Sequence, residues 1–283
     1  ANGTALSLVD FLAGVLLTGL ETVARADMER YPRLGLIALS STGTDNVDLA
    51  AAAELGIRVT NVPSQATEEV AGHALSLMLA LLHNLPMHDR NMRDGLWESP
   101  RDIVHAPRPS LMTLGIIGVG KIGRTLAHQA QSIFGDIIGF DPYVEAAQAP
   151  PGISLRASAA EVVADADILT VHVPRTPATE ELLGSLDLAG GRVRYLVNVS
   201  RGGLFSHGSL LGLLDSGGLD GVGLDVFDPE PPGLDPLVLH PRVISTPHQA
   251  YASVQSLEAY QVYPARNAVA FVTGNPLLSP VDV

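Results

Sequence analysis

The 283-residue chain is 46% hydrophobic with a mean hydropathy of +0.25, which excludes a disordered polypeptide and leaves room for two domains of ordinary size. It contains no cysteine, so disulfides, thiolate metal sites and a cysteine nucleophile are excluded together. Seventeen Lys and Arg against 30 Asp and Glu give a net charge of −13 and a pI near 5.0, which argue against nucleic acid or an anionic membrane as partner. A cytoplasmic enzyme fits this composition.

The chain opens Ala1-Asn2 without Met, and its first clear strand comes late, which points to a further segment ahead of Ala1. The apolar stretch 11–20 is too short to span a bilayer, contains Gly14, Thr18 and Gly19, and lacks the basic lead of a signal peptide. Residues 21–29 read as helix, 34–40 as strand, 47–55 as helix and 57–61 as strand, a βαβ pattern that implies a small parallel sheet. A long helix is expected over 67–84, with Glu68 and Glu69 in its first turn, where they complement the dipole. Its apolar positions cover more than one face, so it is expected to lie buried between layers. Residues 94–110 read as irregular, and Trp97, the single tryptophan, as a core residue, with approach to a cleft the alternative.

The most informative stretch follows. Leu114-Gly115-Ile116-Ile117 reads as a buried strand that ends directly in Gly118-Val119-Gly120-Lys121-Ile122-Gly123, and a helix is expected over 121–134, stopped by Gly135. This is the G-x-G-x-x-G turn: the first glycine allows the tight bend, the second lets amides approach a pyrophosphate, and the third lets helix pack on strand. The helix N-terminus adds aligned N–H groups and partial positive charge. A second strand then ends at Asp141, 23 positions after Gly118, close to the roughly 20 expected for a carboxylate that grips an adenosine ribose. The alternative is a loop aspartate that merely opens an Asp-Pro turn. No Lys or Arg follows until Arg156, so nothing close in sequence would receive a 2′-phosphate, and NAD is favoured over NADP.

Beyond it, Ser158 and Glu161 have capping-box spacing ahead of a short helix, and strands are expected over 168–173, 195–199, 222–226 and 243–245, with a helix over 206–214 closed by Gly217. Together these make a doubly wound parallel sheet, an α/β fold of Rossmann type. A last helix after Gln249 is expected to be interrupted at Pro264.

Three of the later strand ends carry ionisable residues, on the side where ligands bind in such sheets. They are Asn198-Val199-Ser200-Arg201-Gly202-Gly203, Gly223-Leu224-Asp225-Val226-Phe227-Asp228-Pro229-Glu230-Pro231 and Ser245-Thr246-Pro247-His248. In this order after the glycine turn, they resemble the D-isomer-specific 2-hydroxyacid dehydrogenase family, which includes glyoxylate/hydroxypyruvate reductases and phosphoglycerate dehydrogenases. The resemblance runs from about residue 34 to residue 276.

It implies an NAD-dependent oxidoreductase that interconverts a small 2-keto acid and its D-2-hydroxy acid. His248 would be the acid/base, since an imidazole exchanges a proton near neutral pH. Glu230 would hydrogen-bond and orient it, with Asp228 a rival carboxylate two positions earlier. Arg201 would hold the substrate carboxylate and carbonyl, for which a planar, permanently charged fork is suited. Backbone amides of Thr42 and Gly43 would meet the carboxylate from the other domain. For the cofactor the resemblance marks Gly118, Gly120, Lys121, Ile122, Gly123 and Asp141, then Pro174, Thr179, Val199, Ser200 and, near the nicotinamide, Asp225.

A smaller flavodoxin-like α/β substrate domain is implied over 1–68 and 262–283, and the NAD-binding domain over 69–261 including the crossing helix, with the active site in the cleft between them. A homodimer is implied, and no metal. The sequence departs from the family at Ala71-Gly72-His73 and Phe205-Ser206-His207, and His73 reads as structural or surface. A formate dehydrogenase-like enzyme shares fold and cofactor but uses no Glu–His pair. The reading from another class is an NAD-sensing, corepressor-like binding protein.

Overall fold

The computed structural model describes residues 14–19, 21–99, 103, 105–145, 147, 149–180 and 185–282. The described residues within Ala1–Ala66 and Ala252–Val283 make one compact unit and those within Thr67–Tyr251 another.

In the first unit, β1 (Val15–Thr18), β2 (Leu36–Leu39) and β3 (Arg58–Thr60) form a parallel sheet in the order β1-β2-β3. Finding a strand at Val15–Thr18 corrects the reading of 11–20 as an unassigned apolar stretch; positions 11–13 and 20 lie outside the described residues. Helices α1 (Arg25–Glu29) and α2 (Leu49–Glu54) share a core with this sheet through Met28, Ile37, Leu39, Ala51, Ala52 and Val59. The last helix, α9 (Val254–Val272), packs on β1 and β2, and Arg58 lies 4.5 Å over the ring of its Phe271. It runs unbroken through Pro264, contrary to expectation. Tyr260, Pro264 and Asn267 are all buried, and Asn267 accepts a hydrogen bond from Leu278 N at 2.8 Å, so packing carries the helix past the donor that proline lacks.

The second unit is built on seven parallel strands in the order β10-β9-β8-β7-β4-β5-β6. In chain order they are β4 (Thr113–Ile117), β5 (Asp136–Phe140), β6 (Ser154–Leu155), β7 (Ile168–Val171), β8 (Tyr195–Asn198), β9 (Gly221–Leu224) and β10 (Val243–Ser245). The two-residue period of the strands feeds two separate cores. Leu114, Ile116, Ile168 and Val197 pack with α3 (Thr67–Leu82) and α5 (Lys121–Ala130). Ile117, Leu169, Val171 and Leu196 pack with α6 (Ala159–Asp165) and α7 (His207–Asp215). Helices on both faces make the sheet doubly wound, as the sequence predicts. The chain winds outward from β4 through β5 and then crosses back to β7, so the connections diverge between β4 and β7, the place where such sheets open a crevice at their carboxyl ends.

Ser158 caps α6 by accepting from Glu161 N at 3.2 Å, while the Glu161 carboxylate reaches Ala157 N at 3.1 Å, one residue beyond the box's usual target. A short helix, α4 (Leu85–Arg93), occupies a stretch in which no element was expected, and none of its residues is buried. Trp97, which follows it, is 87% exposed rather than part of the core, because the chain has left the packed layers at α4. Among the described residues, no single helix is long and apolar enough to cross a membrane.

Candidate active site

The glycine turn lies at the carboxyl end of β4. Gly118 has φ +94°, and a Cβ there would meet the His172 carbonyl oxygen at 2.5 Å, so only glycine fits between β4 and the chain leaving β7. A Cβ at Gly123 would overlap the Gly118 carbonyl, which keeps the helix tight on the turn. Gly120 is the N-cap of α5 without a side-chain capping bond, and nothing lies within 4 Å of the point where its Cβ would stand. Lys121 and Ile122 open this ten-residue helix. Asp141 accepts from Val119 N at 2.9 Å and from Tyr143 N at 3.0 Å. A constricted turn, a helix N-terminus and a carboxylate at the next strand end are the parts a dinucleotide needs, and the residues present fit one.

His172 lies under this turn, half-buried; its Nε2 is 3.1 Å from Thr170 Oγ1, and its buried Nδ1 has no partner among the described residues. Burial pulls its pKa down to about 4. The folded state therefore refuses a proton that the unfolded chain takes up near pH 6.5, and stability falls as the pH drops through that interval. Between pH 6.5 and 4 the loss is on the order of 3 kcal/mol. Urea unfolding of His172→Leu is expected to lose this part of the acid sensitivity, and a wild-type difference between pH 7 and pH 4.5 would refute it.

The loop after β7 closes on itself: Thr179 Oγ1 accepts from Thr176 N at 2.8 Å and donates to Pro174 O. Arg175 pairs with Glu180 at 2.7 Å and Asp228 at 2.9 Å. After β8, Val199 is buried, and Ser200 donates to Asn198 Oδ1 from both N and Oγ at 3.0 Å. Asn198 Nδ2 in turn donates to Arg201 O at 2.8 Å, and Arg201 Nη1 to Ser200 O at 2.7 Å.

The loops after β9 and β10 bring the acid/base candidates together. His248 Nδ1 is 2.7 Å from Glu230 Oε2, and Glu230 Oε1 accepts from Phe227 N at 2.8 Å. Asp228 is turned to Arg175 instead. Burial pushes the Glu230 carboxyl up, but bonds from His248 and the Phe227 amide, with the charges of His248 and Arg201, outweigh it. The result is a carboxyl held below the ordinary value, ionised at neutral pH. With Nδ1 engaged by a carboxylate, Nε2 is the nitrogen left to exchange a proton.

Asp225 is completely buried, and its carboxylate accepts from Thr246 Oγ1, Gln249 N and Ala250 N at 2.6–2.9 Å. His73, on α3, is not a bystander: its Nε2 is 2.9 Å from Thr246 Oγ1 and 3.7 Å from Asp225 Oδ1. No local pattern announces this, because the partners are 173 positions apart; the one clue in the sequence is that Thr246 belongs to the Thr-Pro-His motif. His207 bonds Asp235 at 3.0 Å and stands edge-on to Phe227 at 6.1 Å.

In the first unit, Thr42 Oγ1 donates to Val62 O at 2.8 Å and lies 2.9 Å from the Tyr260 hydroxyl, while Gly43 O accepts from Ser41 Oγ at 2.8 Å. The turn is held by side chains and carbonyls, and the amides of Thr42 and Gly43 have no acceptor among the described residues.

A glycine turn and a Glu–His pair at the carboxyl ends of one parallel sheet are the features of a nucleotide-binding α/β protein. The sequence profile of the D-isomer specific 2-hydroxyacid dehydrogenase NAD binding domain matches residues 75–250, and the chain belongs to that family. It is similar to a D-3-phosphoglycerate dehydrogenase of Methanocaldococcus jannaschii, 35% identical over 84% of this chain and 45% of the relative. It is also similar to a glycerate dehydrogenase of Methylorubrum extorquens, 33% identical over 95% of this chain and 86% of the relative. The crystal structure of D-lactate dehydrogenase from Aquifex aeolicus complexed with NAD and lactic acid superposes with a TM-score of 0.84 at 26% identity, covering 95% of this chain and 87% of that one. The chain spans about half the length of most of the curated relatives it matches. The family and these relatives establish NAD as the cofactor of the second unit.

Proposed function

We propose that the chain reduces a small 2-keto acid to the D-2-hydroxy acid, or runs the reverse. The observation that carries this reading is the 2.7 Å contact between His248 Nδ1 and Glu230 Oε2, set beside the Arg201 loop in an NAD-binding sheet. Gly118, Gly120, Lys121, Ile122 and Gly123 would receive the pyrophosphate, and Asp141 the adenosine ribose; Pro174, Thr179, Val199 and Ser200 would border the rest of the dinucleotide. When bound, reduced NAD supplies the hydride that goes to the carbonyl carbon.

The chain's own residues do the remainder. Arg201 binds the carboxylate and polarises the carbonyl with a planar cationic fork. His248 gives the proton on Nε2 to the carbonyl oxygen as charge develops there, and Glu230 holds the ring and stabilises the charged imidazole from which that proton leaves. The reverse reaction returns the proton to the same nitrogen. Thr42 and Gly43 would offer their amides to the substrate carboxylate.

NADH binding followed by fluorescence, with NADH oxidation assayed against glyoxylate, hydroxypyruvate, pyruvate and phosphonopyruvate, tests the reading. Binding with turnover of at least one acid is the expected result; binding without turnover of any acid would leave the corepressor-like alternative in its place. The homodimer belongs to the same proposal, supported by Leu85, Met92, Leu96 and Trp97, all more than half exposed in and just beyond α4. Light scattering should give twice the 29.6 kDa chain mass, and the monomer mass at micromolar concentration would overturn it.

A further inference from the structure

We propose that His73 and Thr246 are positioning residues that act through Asp225 to hold His248 in its working orientation. This goes beyond the Glu230–His248 pair and rests on the reading of His248 as the proton donor. His248 lies at φ +52°, a left-handed conformation uncommon for any residue but glycine, so what its surroundings supply bears on how the side chain is held.

Those surroundings converge on Asp225. Its backbone carbonyl accepts from His248 N at 2.8 Å; its Oδ1 accepts from Thr246 Oγ1 at 2.6 Å and Gln249 N at 2.9 Å; its Oδ2 accepts from Ala250 N at 2.8 Å. One fully buried residue thus fixes both flanks of His248 as well as its own amide.

The hydroxyl of Thr246 decides the next link. It has one hydrogen, given to the carboxylate, which can only accept. The contact of 2.9 Å with His73 Nε2 must then be a donation from His73, so this imidazole carries its proton on Nε2. The same nitrogen lies 3.7 Å from Asp225 Oδ1, so it adds positive dipole to a carboxylate cut off from water. Helix α3 is by this route connected to the turn that carries the acid/base group, through His73, Thr246 and Asp225 in sequence.

The test has an arm that needs no turnover. Long-range proton–nitrogen correlation on protein labelled with imidazole nitrogen-15 at pH 7 should show His73 as the Nε2–H tautomer, and a proton on Nδ1 would overturn the relay. In the kinetic arm, His73→Leu should lower kcat about tenfold while the KM for the keto acid and NADH affinity stay within about twofold, the mark of misplaced rather than lost binding. His73→Gln, whose amide N–H can replace the Nε2–H donor, should recover kcat to within about threefold of wild type. A His73→Leu variant with wild-type kcat, or equal losses in both variants alongside a lowered Tm, would overturn the proposal. If wild-type protein turns over no keto acid, the proposed function fails, and the tautomer measurement still decides the relay.

Discussion

Replacing His248 with glutamine is expected to lower NADH-dependent reduction of the best keto acid by about a thousandfold, within the range that a positioned acid/base contributes, while NADH affinity stays within about threefold. Glutamine can keep a hydrogen bond to Glu230, but its amide does not release a proton near neutral pH, so the loss isolates proton transfer from shape. Because the position is left-handed, His248→Asn is the companion variant, since asparagine tolerates this conformation better than most residues. Both variants should give the same low rate. Stopped-flow fluorescence for binding and absorbance for turnover separate the outcomes, and joint loss of binding and rate would mean that His248 holds the turn rather than the proton.

The second large effect is expected at Gly202. A Cβ there would overlap the carbonyl group and Cα of Phe227, backbone against backbone, so no rotamer change relieves it. The Arg201 turn and the loop that holds Glu230 would have to separate. Gly202→Ala is expected to cost about 1–3 kcal/mol of stability as an overpacked site. It should also lower kcat/KM by about a hundredfold, as misplacement near 1 Å can do. Gly203 is the internal control. A Cβ there meets only the end of the Arg175 side chain, at 2.6 Å from Cζ, and that chain can swing aside. Gly203→Ala should lose far less on both counts. Equal tolerance at the two glycines, read by thermal unfolding and steady-state rates, would show that the Arg201 and Glu230 loops do not depend on this close approach.

The unequal legibility of the chain has physical causes. The second unit could be read because its strands are short apolar runs and its glycine turn leaves few backbone alternatives; β10 was expected over the residues where it stands. The strand Val15–Thr18 escaped notice because an apolar run between Gly14 and Gly19 has no periodicity by which to tell strand from helix. Helix α4 buries nothing, so no apolar stripe marks it, and Trp97 looked like core because burial of a tryptophan is the usual outcome. At Pro264 the local rule was sound, and tertiary packing prevailed over it. Around His248 the sequence motifs named Glu230 and Asp225, but what each carboxylate bonds to depends on loop geometry, and His73 enters only because α3 packs on β8 and β9, which brings it to Thr246.

The carboxylate of Asp141 has a consequence for how this chain can change. One of its oxygens is taken by the amide of Val119 and the other by that of Tyr143, so it is part of the glycine turn's own scaffold. A lineage that moved toward a phosphorylated ribose could not simply discard the negative charge. The replacement would still have to offer Val119 an acceptor, as serine or asparagine can and alanine cannot. If Asp141 receives the ribose as proposed, coenzyme choice and loop integrity are inherited together, and the short mutational routes between the two nicotinamide coenzymes are fewer than a single loop aspartate suggests.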